Sequence, residues 1–422
     1  MKNLKIILLG LSFSTLALAY PPSNFFTPYN INWRLPDVKD KKFLFNINFE
    51  HGNTNDCRNG GEDKAPVLRL YNATESSLAM LLGAQVGSDI YNKANLLLPA
   101  YAPATDDGVR GCFELDGKFE QTNINLLAKY KLPIETIPGN FDLLVHVPMT
   151  HMVVKDVVWR DLTKNVLACD FDVHAQLTDD IVNNVNTLGD GLNLEGFDRM
   201  GFGDLVVMLW WYNDYKQLKE HLKNVRLNFR LGLSAPTGHK INEDKSIDFP
   251  FGNDGSWGVP LAGAIDLDFI HAFKLGLEFE MLFLFDNTRI RRLKTDSNQT
   301  DYLLLHKGNA TLSQGMTWKF NLFIQKKFGN YITAKIAYQF LKKDSDKLTA
   351  ESNNFDYSII NTAQKLQEWM TQDFIFKLDI DLFKESSKYA FKPQFSMFAK
   401  VPVTGKRIVS AYTFGGQLGF NF

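Results

Sequence analysis

The sequence predicts an all-β fold, a transmembrane antiparallel up-and-down β-barrel of about 12 strands with short periplasmic turns and long external loops. Three observations carry that prediction. The chain of 422 residues is 45% hydrophobic and holds 34 Phe, yet its mean hydropathy is only -0.18. Its apolar residues are therefore spread evenly rather than gathered into core helices. After the N-terminal leader no run reaches the ~18 consecutive apolar residues of a membrane-crossing helix, the longest being Leu205–Trp211. Apolar and polar residues instead alternate with a period of two, segment after segment. That is the pattern of strands whose two faces meet different solvents.

The leader comes first. Lys2 and Lys5 form a basic region, Ile6 to Leu18 an apolar stretch, and Ala17-Leu18-Ala19 a small-residue cleavage site. Together they read as a secretory signal peptide over 1–19, removed after Ala19. Next comes a periplasmic N-terminal segment, 20–41, with Pro21, Pro22, Pro28 and Pro36 among Phe25, Phe26 and Trp33. It is extended and apolar rather than helical, and a candidate plug. The barrel is expected over 42–422.

Twelve segments alternate. The first three lie near 42–50, 117–132 and 140–149. The fourth, 202–212, alternates poorly, and 223–235 and 259–270 follow. Over 273–286, Phe273, Leu275, Leu277, Phe279, Met281, Phe283 and Phe285 oppose Lys274, Glu278 and Glu280. Over 316–328, Trp318, Phe320, Leu322 and Ile324 oppose Lys319, Asn321 and Gln325, and 331–341 behaves alike. Over 372–384, Phe374, Phe376, Leu378, Ile380 and Leu382 oppose Asp373, Lys377, Asp379 and Asp381. Segment 389–401 has the same split, and the C-terminus alternates from Tyr412 to Phe422. These segments mostly run ~9–14 residues, long for a soluble sandwich and suited to a tilted bilayer crossing.

The connections give an independent sign. In order they are 51–116, 133–139, 150–201, 213–222, 236–258, 271–272, 287–315, 329–330, 342–371, 385–388 and 402–410. Long and short alternate throughout, as when long loops share one rim of a barrel and short turns the other. The terminal strand places aromatics at alternate sites through Phe420 and Phe422. It resembles the C-terminal assembly signal of Gram-negative outer-membrane proteins, which implies the barrel assembly machinery as a partner and the outer membrane and its lipid as surroundings.

With the apolar parity toward lipid, the polar parity lines a lumen. The pore-lining candidates are Arg226, Arg230, Asp266, Asp268, Glu278, Glu280, Lys319, Lys377, Asp379 and Asp381. Their signs balance. They read either as a hydrated channel wall whose charges bias what passes, or as ion pairs between neighbouring strands that stiffen the wall. Barrels of about eight strands are filled by side chains and those of 16–18 leave an open channel. Twelve strands suggest a narrow pore partly blocked, by segment 20–41 or by loop 51–116.

Cys57, Cys112 and Cys169 fall in expected external loops. Export permits disulfides, and a Cys57–Cys112 bridge would close loop 51–116 on itself, though spacing alone does not select the pair. No metal-ligand spacing, phosphate loop, Gly-x-Ser-x-Gly elbow or His-Glu-x-x-His occurs, so the reading includes no metal, no cofactor and no catalytic residues. The net charge of -1 leaves no basic footprint for nucleic acid.

One stretch carries a family resemblance. Gly201-Phe-Gly-Asp-Leu205 opens a strand, and after a turn comes Arg226-Leu-Asn-Phe-Arg-Leu-Gly-Leu-Ser-Ala-Pro-Thr-Gly238. This resembles the Gly-x-Gly-Asp-Leu … Leu-Gly-x-x-x-Pro-Thr-Gly pattern of the porin-like outer-membrane channel proteins named for the meta-pathway of phenol degradation. The resemblance implies a small barrel for uptake of hydrophobic or aromatic compounds. For these residues it suggests structural work: Gly232, Pro236 and Gly238 shaping the strand exit, and Asp204 pairing with Arg226 or Arg230. The sequence thus points to an outer-membrane, porin-like channel for passive diffusion of small solutes. The alternative is a closed barrel acting as a surface scaffold or adhesin through loops 51–116 and 150–201.

Overall fold

The structure, a computed structural model, describes residues 42–61, 64–71, 113–161, 182, 191–295, 301–304, 306–352, 355–382 and 392–421. The signal peptide, segment 20–41, Cys112, Cys169 and Phe422 lie outside the described residues.

Twelve long strands form the wall. They are β1 (Phe43–Arg58), β2 (Phe113–Leu132), β3 (Asn140–Asp161), β4 (Leu205–Lys216), β5 (Leu222–Ala235) and β6 (Gly258–Phe269), followed by β7 (Phe273–Leu284), β8 (Thr317–Phe328), β9 (Ile332–Lys343), β10 (Trp369–Asp381), β11 (Lys392–Lys406) and β12 (Ile408–Asn421). Each pairs antiparallel with its chain neighbours, and β12 closes on β1 from Leu44↔Asn421 to Arg58↔Ile408. All twelve segments expected from alternation are therefore strands of one closed barrel. Closure satisfies every strand edge within the wall, the condition for crossing hydrocarbon with strands.

The two faces divide as the parity requires. Outward Phe229 is 47% exposed and Phe376 44%, whereas inward Arg226 is 5% and Glu280 1% exposed. Large apolar side chains outside and charges inside invert the arrangement of a soluble protein and match a barrel whose outer solvent is lipid. The connections 133–139, 217–221, 270–272 and 329–331 sit at one rim, with Gly329 at φ 63 in the tightest. The long connections gather at the other rim, the external one in this class of barrel.

Two expectations are corrected. The loop expected at 402–410 is absent: β11 and β12 run on and turn at Arg407, which takes φ 52. Strands β1, β2 and β3 extend well past their expected outer ends, to Arg58, Phe113 and Asp161. The reason is a reversal of polarity along them. On β3, Val145, Val147 and Met149 face outward below and Thr150 inward, but higher up Met152 and Val154 face inward, buried, while Lys155 is exposed outside. The poor alternation of β4 has its own cause: both its faces are apolar. Its inward Val206, Met208, Trp210 and Tyr212 pack in the lumen with Leu127, Leu144 and Leu282.

Above the long-loop rim the chain builds a cap. Strand Phe197–Phe202 pairs with the upper part of β3, and Asn287–Leu293, His306–Ser313 and Lys347–Ala350 form a separate three-stranded sheet. Loop residues Leu68, Leu70, Ile247, Phe249, Phe251 and Leu303 converge on inward Leu115, Phe119, Met152, Val154, Val409 and Ala411 of the wall. This apolar core sits in the mouth of the barrel.

Candidate functional site: the lumen and its cap

The lumen wall is a network of ion pairs. Arg230 of β5 reaches Glu278 at 3.0 Å and Glu280 at 3.1 Å on β7, passing over β6. Strand register explains the reach: Arg230 pairs with Ala262, which pairs with Glu280, and the small Ala262 side chain leaves the space above it free. On the other side of β7, Lys319 of β8 holds Glu280 at 2.8 Å, and Asn321 donates to Glu278 at 3.1 Å. Two carboxylates are thus shared by two cations and an amide, which compensates burial that would otherwise cost several kcal/mol per ion.

The remaining candidates follow suit. Arg226 forms a two-pronged pair with Asp214 (2.9 and 2.6 Å) and lies over the Tyr212 ring, 5.0 Å from its centroid. Asp266 is buried and accepts from Asn228 at 3.4 Å, while Asp268 takes Lys274 at 3.1 Å. Lys377 and Asp379 pair at 3.0 Å, Lys377 also donating to Gln417 and Asp379 accepting from Ser396. Asp381 accepts from Gln394 at 2.7 Å. All ten sequence candidates lie on the inward face of the wall, with Lys129–Asp142 (3.1 Å) and Lys400–Asp373 (3.3 Å) alongside them. Asp214 escaped the sequence reading because it was assigned to a turn, whereas β4 continues through it to Lys216.

An apolar and aromatic stripe runs down the same lumen. Val206, Met208, Trp210 and Tyr212 follow β4 from the long-loop side toward the short-turn side. Trp210 and Tyr212 rings stand 5.2 Å apart, Lys129 lies 5.3 Å from the Trp210 centroid, and Trp210 Nε1 donates to Asn228. Such cation–π contacts keep the cations against the wall.

The Gly-x-Gly-Asp-Leu and Pro-Thr-Gly motifs meet at the base of the cap. The Asp204 carboxylate accepts the backbone N–H of Gly238 (2.9 Å) and of Asn253 (2.6 Å). Thr237 Oγ1 accepts from Leu205 N and donates to Gly203 O, both at 2.9 Å. A Cβ on Gly252 would overlap the Asp204 carboxylate, and one on Gly238 would stand 2.9 Å from its Oδ1. Asp204 therefore pairs with neither Arg226 nor Arg230. It ties loop 236–257 to the start of β4 through backbone donors, because Gly203 leaves the strand line there, donating to Pro148 O of β3. Burial pushes the Asp204 carboxyl up to about 6 against the pull of its two backbone donors.

Cys57 is a buried thiol within the apolar cap core and donates to Pro66 O at 3.1 Å, while Cys112, its candidate partner, lies outside the described residues. Phe420 lies on β12 opposite Phe45. His151 on β3 bonds Asp198 at 2.7 Å, fastening strand Phe197–Phe202 to the wall.

No protein-family model and no curated protein matches the chain. Among solved structures it is similar to an outer membrane channel from Pseudomonas putida F1, at 12% identity and a TM-score of 0.53, covering 93% of this chain and 100% of that one. The transport unit of the autotransporter AIDA-I from Escherichia coli aligns at 8% identity and a TM-score of 0.35, covering 94% of each chain. The Pseudomonas putida toluene transporter TodX aligns at 9% identity and a TM-score of 0.33, covering 92% of this chain and 90% of that one. At 12% identity the first likeness is one of fold, the twelve-stranded outer-membrane barrel.

Proposed function

We propose that the protein is an outer-membrane channel for passive movement of small solutes, hydrophobic or aromatic compounds among them. The observation that carries the reading is a lumen lined by compensated charges beside a continuous apolar stripe, inside a wall whose outer face suits lipid. A barrel serving only as an anchor gains nothing from burying so many charges, since apolar packing of similar volume is often equally stable. The buried stripe Val206–Met208–Trp210–Tyr212 makes one side of the inner wall apolar within an otherwise polar lumen, which suits apolar solutes. The fold of the Pseudomonas putida F1 channel and the Gly-x-Gly-Asp-Leu and Pro-Thr-Gly motifs support the same reading. In this reading the signal peptide directs export, and Phe420 together with Phe422 engages the assembly machinery.

Single-channel recording and solute-dependent swelling of vesicles containing the purified protein test it. Steady conductance is expected. Its complete absence, with swelling absent for polar and aromatic solutes alike, would remove the channel reading and leave the barrel intact.

The apolar core in the mouth favours a second reading, a closed barrel acting as a surface scaffold or adhesin. Deleting parts of loops 51–116 and 150–201 separates the two. A channel keeps or raises its conductance, whereas an adhesin loses its partner.

A further inference from the structure

We propose that the short-turn rim of the barrel is a docking surface for anionic phospholipid headgroups, held by lysines at the edge of the lipid-facing wall. Lys42, Lys131, Lys216, Lys219, Lys223, Lys326 and Lys327 stand there at strand ends or in turns, against Glu135, Glu220 and Asp381. Asp214 and Asp268, at the same rim, already hold Arg226 and Lys274. Lys42, Lys216, Lys219 and Lys223 are exposed, and none of these forms an ion pair among the described residues. Lys326 lies on the outer face of β8 and donates to the neutral carbonyl of His271 at 2.5 Å, which leaves its charge uncompensated.

The long-loop rim is built differently. On the outer face of the wall there, Lys118 holds Asp156 at 2.8 Å, Lys155 holds Glu120 at 2.6 Å and Lys342 holds Glu368 at 3.0 Å. These bases carry their counter-charges within the chain. The lysines of the short-turn rim must find theirs outside it, since like charges left together repel one another.

The position of the lysines selects the partner. Lys42 precedes exposed Phe43, Lys131 follows exposed Tyr130, Lys216 follows exposed Tyr215, and Lys326 is two residues from exposed Phe328. Aromatic girdles mark the level at which a barrel wall passes from hydrocarbon to headgroups. A lysine one or two residues away lays its stem along apolar surface and carries its ammonium to the polar layer. There it is drawn to the phosphates of an anionic leaflet. A soluble acidic partner would instead meet the turns, where Glu135 and Glu220 are exposed and oppose it. The surface rests on the closed barrel and stands apart from the channel reading.

Electron spin resonance of the protein reconstituted in phosphatidylcholine vesicles tests it directly. Spin-labelled phosphatidylglycerol and spin-labelled phosphatidylcholine are the probes, and the immobilised fraction of each reports the lipid held at the wall. Phosphatidylglycerol should be held about threefold more strongly at low salt. The preference should fall toward parity in 1 M sodium chloride, where the screening length is about 3 Å. Lys42→Gln, Lys216→Gln, Lys219→Gln and Lys223→Gln combined should remove most of it, whereas Arg at the same positions should keep it. Folded migration in unheated gels checks the barrel in each variant. Equal retention of the two lipids by the parent protein, a preference that survives the combined Gln variant, or one indifferent to salt would overturn the proposal. Because lipid is read directly, a protein that holds phosphatidylglycerol but conducts nothing refutes the channel and leaves this surface standing.

Discussion

Asp204 illustrates how much a single position settles. The sequence marks it through Gly201-Phe-Gly-Asp-Leu205 and suggests an arginine partner. The fold instead gives it two backbone N–H groups, which no side-chain inventory contains. The partners become visible only once Gly238 and Asn253 are brought together by the loop between β5 and β6. Asp204→Ala should strand two buried donors, each worth about 1–3 kcal/mol, and urea titration of the refolded protein should show a loss of that order. Its pH dependence has a definite sign. A carboxyl near 6 in the folded protein and 3.8 when solvated binds its proton more tightly when folded. Its stabilising effect is therefore full below about pH 4 and is lost as pH rises to about 6, a swing of about 3 kcal/mol. Asp204→Asn should abolish that swing between pH 4 and 6. A swing of unchanged size in the Asn variant would show that another group is responsible.

At the scale of the strand, period-two alternation located every wall strand but misplaced several outer ends. The cause is physical. Within the bilayer the outer face of β2 meets lipid, and inward Gln121, Asn123 and Asn125 meet the polar lumen. Above it, inward Leu115 and Phe119 meet the cap core, while Asp116 and Lys118 face water. A strand that exchanges both solvents reverses its parity, so a reading by period ends it at the crossover. Strand β4 alternates poorly for the complementary reason, being apolar on both faces. What alternation cannot show is reach across a strand, such as Arg230 passing over Ala262 to Glu280. Ala262→Leu should fill that space and part Arg230 from its carboxylates. Breaking a buried pair in this way costs about 3–5 kcal/mol, readable as a lower urea midpoint, and Ala262→Gly should leave the midpoint within ~1 kcal/mol. Gly232 is a second such point. A Cβ there would overlap Met208 and approach Val207 O at 2.7 Å, so Gly232→Ala should destabilise by about 1–3 kcal/mol. Met208→Ala in the same chain should recover part of that loss.

At the scale of the molecule, the wall and the cap obey opposite rules and fail separately. The wall is held by closed hydrogen-bonded strands in lipid, where each broken backbone bond is expensive. The cap is a small water-facing domain whose apolar core includes Ile247, Phe249 and Phe251, all from one loop tied down by Asp204. Truncating a buried Phe costs about 3–5 kcal/mol and a buried Ile about 2–5. Replacing all three by Ser removes an amount comparable to the whole 5–15 kcal/mol of an ordinary domain. The cap should then open while the wall persists, because none of the three belongs to a wall strand. Conductance in planar bilayers should rise severalfold over the parent protein, and the barrel should keep its folded migration in unheated detergent gels. The ion pairs around Glu278 and Glu280 lie below the cap and are untouched, so ion selectivity should hold while conductance grows. Arg230→Gln should do the reverse, shifting selectivity toward cations with little gain in conductance. Were the triple variant to open its cap, shown by new protease cleavage within 236–257, and still conduct no better than the parent, the narrowest point would lie among the lumen charges instead.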